Sequence, residues 1–425
     1  MILFFYKNIT QFQLDAIVDV YNMENESILD TIINNSIKEE AAILDSQVIL
    51  ENFFNVLRDK ERDVLASRFG LEKNKRVTLE AIGKQYGLTR ERIRQIENSA
   101  ISKIKKHEEF ENYIGSLKNI VNSLLEEHGG IMEQKYLIDN LSYLSLIAKN
   151  DQRVDLDILR NHYDFVLIKL LSDEFDHVKE NSHYDNLWKI KFAEIEHIQE
   201  ILEYLLAKFE GLKKVLKTEE IIDLVKKSEV YDKYQDKLLV SNNFDISNVI
   251  KNQRFKENYD LINEHKALYS ILRSSKNLEQ NKFGYWGIKN WSEISPKTIN
   301  HKIYLIMKHS GKPLHFKEIA DTINDISFDH KKANPATVHN ELILDDKYIL
   351  IGRGIYALKE WGYQDGTVVD VVAQILLESG KSLTKDEIIE RVLDKRVVKP
   401  ATVNLALMNR EKFRRKGSEY SLNDN

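Results

Sequence analysis

The chain has 425 residues, with 62 Lys and Arg against 67 Asp and Glu, a formal charge of −5. Apolar residues make up 42% and charged residues 30%, a globular balance, and at about 150 residues per domain the length implies roughly three domains. The absence of Cys excludes disulfides, thiolate zinc sites and cysteine nucleophiles. The only prolines, Pro296, Pro313, Pro335 and Pro400, fall in the last third, so a mainly α fold is expected. An acidic total also weighs against nucleic-acid binding, but only if the charge is evenly spread.

It is not. Residues 1–63 hold 12 acids against 5 bases, a net of −7. Met1–Tyr6 is apolar but has no basic flank and is too short for an export signal. No run approaches the ~18 apolar residues of a spanning helix, so no membrane partner and a cytoplasmic location are expected. Residues 1–56 read as an acidic helical segment with apolar positions at Leu14, Ile17, Val18, Tyr21, Ile28, Ile32 and Ile33.

Residues 57–107 read differently. Leu57–Phe69 is an amphipathic helix closed by Gly70. Thr78 can cap a short helix, Gly87 and Leu88 give a tight turn, and Thr89 can cap a second helix. Helix, glycine-containing turn, helix is the helix-turn-helix layout. In the second helix Ile93, Ile96, Ala100 and Ile104 share one face, while Arg90, Glu91, Arg94, Gln95 and Asn98 share the other. Arg can pair with guanine, Gln with adenine, and Glu can accept from cytosine in a major groove. Residues 75–106 carry nine bases against Glu80, Glu91 and Glu97, a net of +6.

Three stretches of this segment, Arg62–Leu65 with Phe69–Leu71, Thr78–Gly83, and above all Thr89-Arg90-Glu91-Arg92-Ile93-Arg94-Gln95-Ile96-Glu97, closely resemble region four of the bacterial sigma-70 factors. That region reads the upstream promoter element. The resemblance implies base contacts by Arg90, Glu91, Arg94 and Gln95, phosphate contacts by Thr78, Lys84 and Arg92, and docking on the β-subunit flap of core RNA polymerase. It covers about 50 residues, and the 56 before it do not have the composition of the family's clamp-binding and promoter-melting segments. A promoter reader without its own melting segments is therefore expected.

The remainder repeats. Four segments end in an aromatic, a spacer and an apolar residue, at Trp188–Lys191, Trp286–Lys289, Tyr356–Lys359 and Tyr420–Asn423. The last two copies align further: Ser310–Leu314 with Ser379–Leu383, Glu318-Ile319 with Glu387-Ile388, and Pro335–Val338 with Pro400–Val403. Each reads as three helices and a β-hairpin, a winged helix; in the third copy Asn334 caps a helix starting at Pro335, and Tyr348–Ile351, Gly352–Gly354 and Ile355–Leu358 give strand, turn and strand. The expected modules are 112–192, 193–292, 297–362 and 364–423. The third resembles the HARE-HTH domain, a winged-helix family also found in the δ subunit of RNA polymerase, through Lys312–Leu314, Phe316–Ile319 and Lys347–Trp361. Trp188, Trp286, Trp291 and Trp361 read as pins between wing and helices. The fourth copy is basic: residues 381–416 hold eleven bases and five acids, with Arg410, Lys412, Arg414, Arg415 and Lys416 clustered before Gly417 as a possible second DNA contact.

Catalytic and metal motifs do not assemble, so no enzyme activity, metal or cofactor is expected. Gly380-Lys381-Ser382 lacks the upstream glycine of a phosphate loop, because Ile375 stands there. Asp151, Asp155 and Asp157 lack the closing Glu of an EF-hand. The leading expectation is a sequence-specific transcription protein that contacts promoter-like duplex DNA and RNA polymerase. The alternatives are an interaction scaffold on polymerase and the DNA-targeting subunit of a restriction-type system.

Overall fold

The computed structural model describes residues 46–73, 75–149, 155–240, 244–251, 255–363 and 366–423, so the helices expected before Ser46 lie outside the described residues. The fold is mainly α with small antiparallel sheets, and contacts divide it into two units. One comprises residues up to 208 together with 218–277; the other comprises 209–217 and the chain from 278 onward.

In the first unit, α1 (Ser46–Asn55), α2 (Asp59–Phe69), α3 (Leu79–Tyr86) and α4 (Arg90–Lys105) precede α5 (Phe110–Glu127), α6 (Gln134–Lys149) and α7 (Leu156–Phe165), which continues as a π-helix over Val166–Leu170. Strands β1 (Ile131–Glu133), β2 (Phe175–Val178) and β3 (Leu187–Ile190) form a sheet in the order β1-β3-β2. The α2–α4 head is fastened to this first repeat by polar contacts. His162 Nε2 bonds the Leu71 carbonyl at 2.7 Å, Arg76 pairs with Asp164 at 2.7 Å, and Lys169 pairs with Glu97 at 3.1 Å. Phe69 and Phe165 rings meet at 4.8 Å. Such a set of contacts fixes an orientation that one exposed ion pair could not.

The first unit also holds most of α8 (Glu196–Leu212), then α9 (Thr218–Lys226), short helical turns, and α10 (Lys266–Ser274). Lys266 on α10 is fully buried and pairs with buried Glu127 on α5 at 2.6 Å. Burial pulls its ammonium pKa down, and the Glu127 carboxylate opposes that shift. Removing either partner would leave a buried charge uncompensated.

The second unit contains three sheets. Strands β4 (Leu216–Lys217), β5 (Leu278–Gln280) and β6 (Tyr285–Ile288) run in the order β4-β6-β5. The third repeat has α11 (Ile299–Ser310), β7 (Leu314–His315), α12 (Phe316–Ile326), α13 (Pro335–Leu344), β8 (Tyr348–Gly352) and β9 (Ile355–Leu358). The fourth has α14 (Val368–Ser379), β10 (Leu383–Thr384), α15 (Lys385–Lys395), α16 (Pro400–Ala406), β11 (Phe413–Lys416) and β12 (Glu419–Leu422). Local chemistry explains the boundaries. Asn334 caps α13 with Pro335 in its first turn, and Thr367 with Asp370 and Thr384 with Glu387 form capping boxes. Gly380, read in sequence as no phosphate loop, is the left-handed cap of α14, as Gly311 is of α11.

The repeated aromatic has a common place. Trp188, Trp286, Tyr356 and Tyr420 lie on the central strand of their sheets, opposite Met132, Leu216, Leu314 and Leu383 on the short first strand. Trp188 and Trp286 are buried, as pins should be, while Trp361 packs beside Ile349, Ile351 and Ala357. The third and fourth repeats have matching cores, with Ile319, Val338 and Leu342 in one and Ile388, Val403 and Leu407 in the other. Buried Arg396 donates to the carbonyls of Leu350, Ile351 and Gly366, which joins the fourth repeat to the third wing.

Candidate nucleic-acid interface

The reading head is held rigid from below. Val64, Ile82 and Ile93 form its core, with Val77, Leu79, Tyr86, Leu88 and Ile96 around them. Both expected threonine caps are present: the Ala81 amide donates to Thr78 and the Arg92 amide to Thr89, each at 3.2 Å. Gly87 closes α3 at φ +64. Gly83 lets the helix approach the turn, because a Cβ there would lie 2.6 Å from the Leu88 carbonyl oxygen. Lys103 bonds Glu61 at 2.8 Å across α4 and α2, and despite partial burial the Glu61 carboxyl is held below its ordinary pKa by Lys103 and the Arg58 amide.

This scaffold leaves one face of α4 in solvent. Arg90, Glu91, Arg94, Gln95 and Asn98 are exposed, while Ile93, Ala100 and Ile104 are buried. Glu91 and Arg94 form a two-point ion pair, with Nε and one terminal nitrogen at 2.9 and 2.7 Å from the carboxylate oxygens. The Arg94 hydrogen bond holds the Glu91 carboxyl below its ordinary pKa, so it stays ionised near neutrality. Arg92 donates to the Gln95 amide oxygen at 3.0 Å. These side chains therefore stand pre-oriented, but in solvent, where such pairs are exchanged at small cost. Thr78 and Lys84 are also exposed, and Lys84 sits 3.1 Å from Glu80.

Periodicity did not foresee Glu97. It lies on the buried side of α4 and is met by Lys169 at 3.1 Å and Arg68 at 3.9 Å. A Glu in a run of polar residues gives no such signal without its distant cations.

On the fourth wing Arg410, Lys412, Arg414, Arg415 and Lys416 are all exposed. They are not equivalent. Lys412 pairs with Asp370 at 2.8 Å and helps hold that carboxyl far below its usual range. Arg415 donates to the Gly417 carbonyl at 2.9 Å and lies 5.8 Å from the Tyr420 ring. Arg410, Arg414 and Lys416 form no ion pair among the described residues. Of the acidic trio without EF-hand spacing, Asp155 caps α7, Asp157 pairs with Arg160, and Asp151 lies outside the described residues. No cluster of metal-ligating side chains occurs among the described residues, and no helix there is long and apolar enough to cross a membrane.

A capped helix-turn-helix whose second helix presents a solvent-exposed Arg, Glu and Gln face defines the DNA-reading class of such units. Comparison narrows the class for this segment: residues 53–106 match the family model of sigma-70, region 4, and form a domain of that type. Over 93 residues the chain is 37% identical to RNA polymerase sigma factor RpoS of Coxiella burnetii, covering 21% of this chain and 26% of the relative. Over 86 residues it is 38% identical to RNA polymerase sigma factor SigA of Lactococcus lactis subsp. cremoris, covering 19% and 24% respectively. The chain thus spans about a quarter of the length of the curated relatives it matches.

Proposed function

We propose that this protein reads a promoter-type element in duplex DNA and acts with bacterial RNA polymerase in transcription initiation or its regulation. The exposed Arg90, Glu91, Arg94 and Gln95 face on a region 4 domain carries this reading. Arg90, Glu91, Arg94 and Gln95 would read base edges, and Thr78, Lys84 and Arg92 would hold phosphates. A good bidentate base contact gives roughly 1–3 kcal/mol of discrimination, so a head this small gains from a tethered second contact. We assign that contact to the basic fourth wing. The reading gives this chain promoter recognition, with core polymerase, through its β flap, as the partner.

A second role is favoured by one observation. Helix α13 of the third repeat has no Lys or Arg and exposes Ile343 and Leu344, at 61% and 81%. That face suits a protein better than a phosphate backbone. The scaffold reading thus applies to the third repeat, alongside DNA reading by the head. Genome-wide occupancy of the protein, mapped with that of polymerase, tests the main proposal. Shared enrichment at promoters is expected, and occupancy with no promoter bias would overturn it. Capture of purified core polymerase without DNA, lost on Leu344→Asp, would support the scaffold role; capture unchanged by that variant would contradict it.

A further inference from the structure

The third and fourth repeats can be superposed residue by residue through their shared pairings. Leu314 opposite Tyr356 corresponds to Leu383 opposite Tyr420, and Pro335 at the start of α13 corresponds to Pro400 at the start of α16. In the third repeat the angle between α12, α13 and the wing is filled by rings. Phe316 lies 4.7 Å from His339, which lies 5.8 Å from Tyr356. At the matching positions the fourth repeat has Lys385 for Phe316, Asn404 for His339, Arg414 for Ile349 and Arg415 for Leu350. Two of the three rings are gone, only the tyrosine being kept as Tyr420, and an open cleft of about 1260 Å³ takes their place.

The cleft's chemistry is layered. Lys385, Arg410, Arg414 and Arg415 line it, with Asp386 as the one carboxylate. Deeper lie Tyr420, Leu407 and Asn404, whose amide oxygen is buried without a hydrogen-bond partner. Met408 stands at 71% exposure on its edge. The volume exceeds the ~300–1,000 Å³ of a small-ligand pocket and suits a stretch of polymer. Cations and a thioether on the outside with an aromatic face and an unpaired acceptor inside match a phosphate chain with unstacked bases. A duplex keeps its base faces stacked and its Watson–Crick edges paired, so it could use only the rim. Helix α16 is also two turns long, and it and the turn after it expose Leu405 and Met408 rather than base-edge donors.

We propose that the fourth repeat binds single-stranded nucleic acid in this cleft, with Arg410, Arg414 and Arg415 on phosphates and Tyr420 and Asn404 on bases. This deepens the second contact assigned above and rests on that wing being a nucleic-acid site.

The test uses the full chain and fluorescence anisotropy with a labelled oligothymidylate of about 15 nucleotides. An oligouridylate of equal length and a duplex of unrelated sequence serve as competitors. Lys385→Phe with Asn404→His restores the third repeat's rings and should weaken oligothymidylate binding at least ~10-fold, and Arg414→Ala should weaken it in the same direction. The uridylate competitor shows whether the site distinguishes RNA from DNA, and competition at either strength fits the proposal. Should the ring-restoring variant fail to fold, Arg414→Ala, exposed and unpaired, carries the test. Equal competition by the duplex would overturn the single-strand assignment while leaving a duplex contact on the wing. Wild-type binding of all three ligands by folded Arg414→Ala and ring-restored proteins would overturn the wing site altogether, and promoter reading by α4 would stand apart from both results.

Discussion

The third and fourth repeats share an order of elements, a sheet topology and a set of buried positions, yet they present opposite surfaces. Ile319 and Ile388, Val338 and Val403, and Leu342 and Leu407 occupy equivalent buried sites. Around the angle between helix and wing, one repeat has Phe316, His339 and Leu350 where the other has Lys385, Asn404 and Arg415, and Ile349, which packs with Ala357 and Trp361, becomes Arg414. Core positions set the fold because burial of apolar surface drives it, and they tolerate little change of volume. Positions lining the angle add little to that core, so they can change from ring to cation and alter what the module binds. A duplicated scaffold can in this way carry a filled surface and an open one in a single chain.

Substitutions can break or sharpen this comparison. The largest effects should be shared. Ile319→Ala and Ile388→Ala each remove a fully buried side chain and should cost about 2–5 kcal/mol by chemical denaturation. A much smaller loss at Ile388 would mean that the cleft reaches the fourth core. Arg396→Met comes next: hydrogen bonds from a charged group are worth about 1.5–3 kcal/mol, and its three carbonyl acceptors would lose their donor. Scanning calorimetry should then show the third and fourth repeats melting separately.

The wing glycines should differ. Gly354→Ala would place a Cβ 2.7 Å from His315 Nε2 at φ +73, whereas a Cβ at Gly417 meets nothing within 4 Å at φ +62. The left-handed backbone costs Ala about 1 kcal/mol or somewhat more at both, and the displaced ring adds to it only at Gly354. Equal losses in melting temperature would contradict the filled angle. The smallest effect is expected at Lys412→Ala, an exposed pair with Asp370, below about 1 kcal/mol.

Much of the reading head was legible in the chain. Thr78, Gly87 and Thr89 mark its boundaries because capping and left-handed backbone are local properties, and the two faces of α4 follow from periodicity. The fourfold aromatic was visible, and its tryptophans read as pins, but its place on the central strand was not. It depends on pairing with first strands only two or three residues long, such as Leu314–His315, too short to show alternation. Glu97 was hidden for a related reason, since its partners Arg68 and Lys169 are distant in sequence. The fourth cleft needed register as well as composition: the basic run was evident, but only the strand pairings show which apolar residues of the third wing Arg414 and Arg415 replace.

The central claim is that α4 reads duplex sequence through its Arg90–Gln95 face. Selection from a pool of random duplexes by the full chain tests it most directly. Wild-type protein should enrich one short element, and Arg94→Ala should relax preference at one or two positions of it, by roughly 1–3 kcal/mol of discrimination, while keeping its fold. Recovery of the same element at the same strength by Arg94→Ala, or no enrichment by the wild-type chain, would contradict the account.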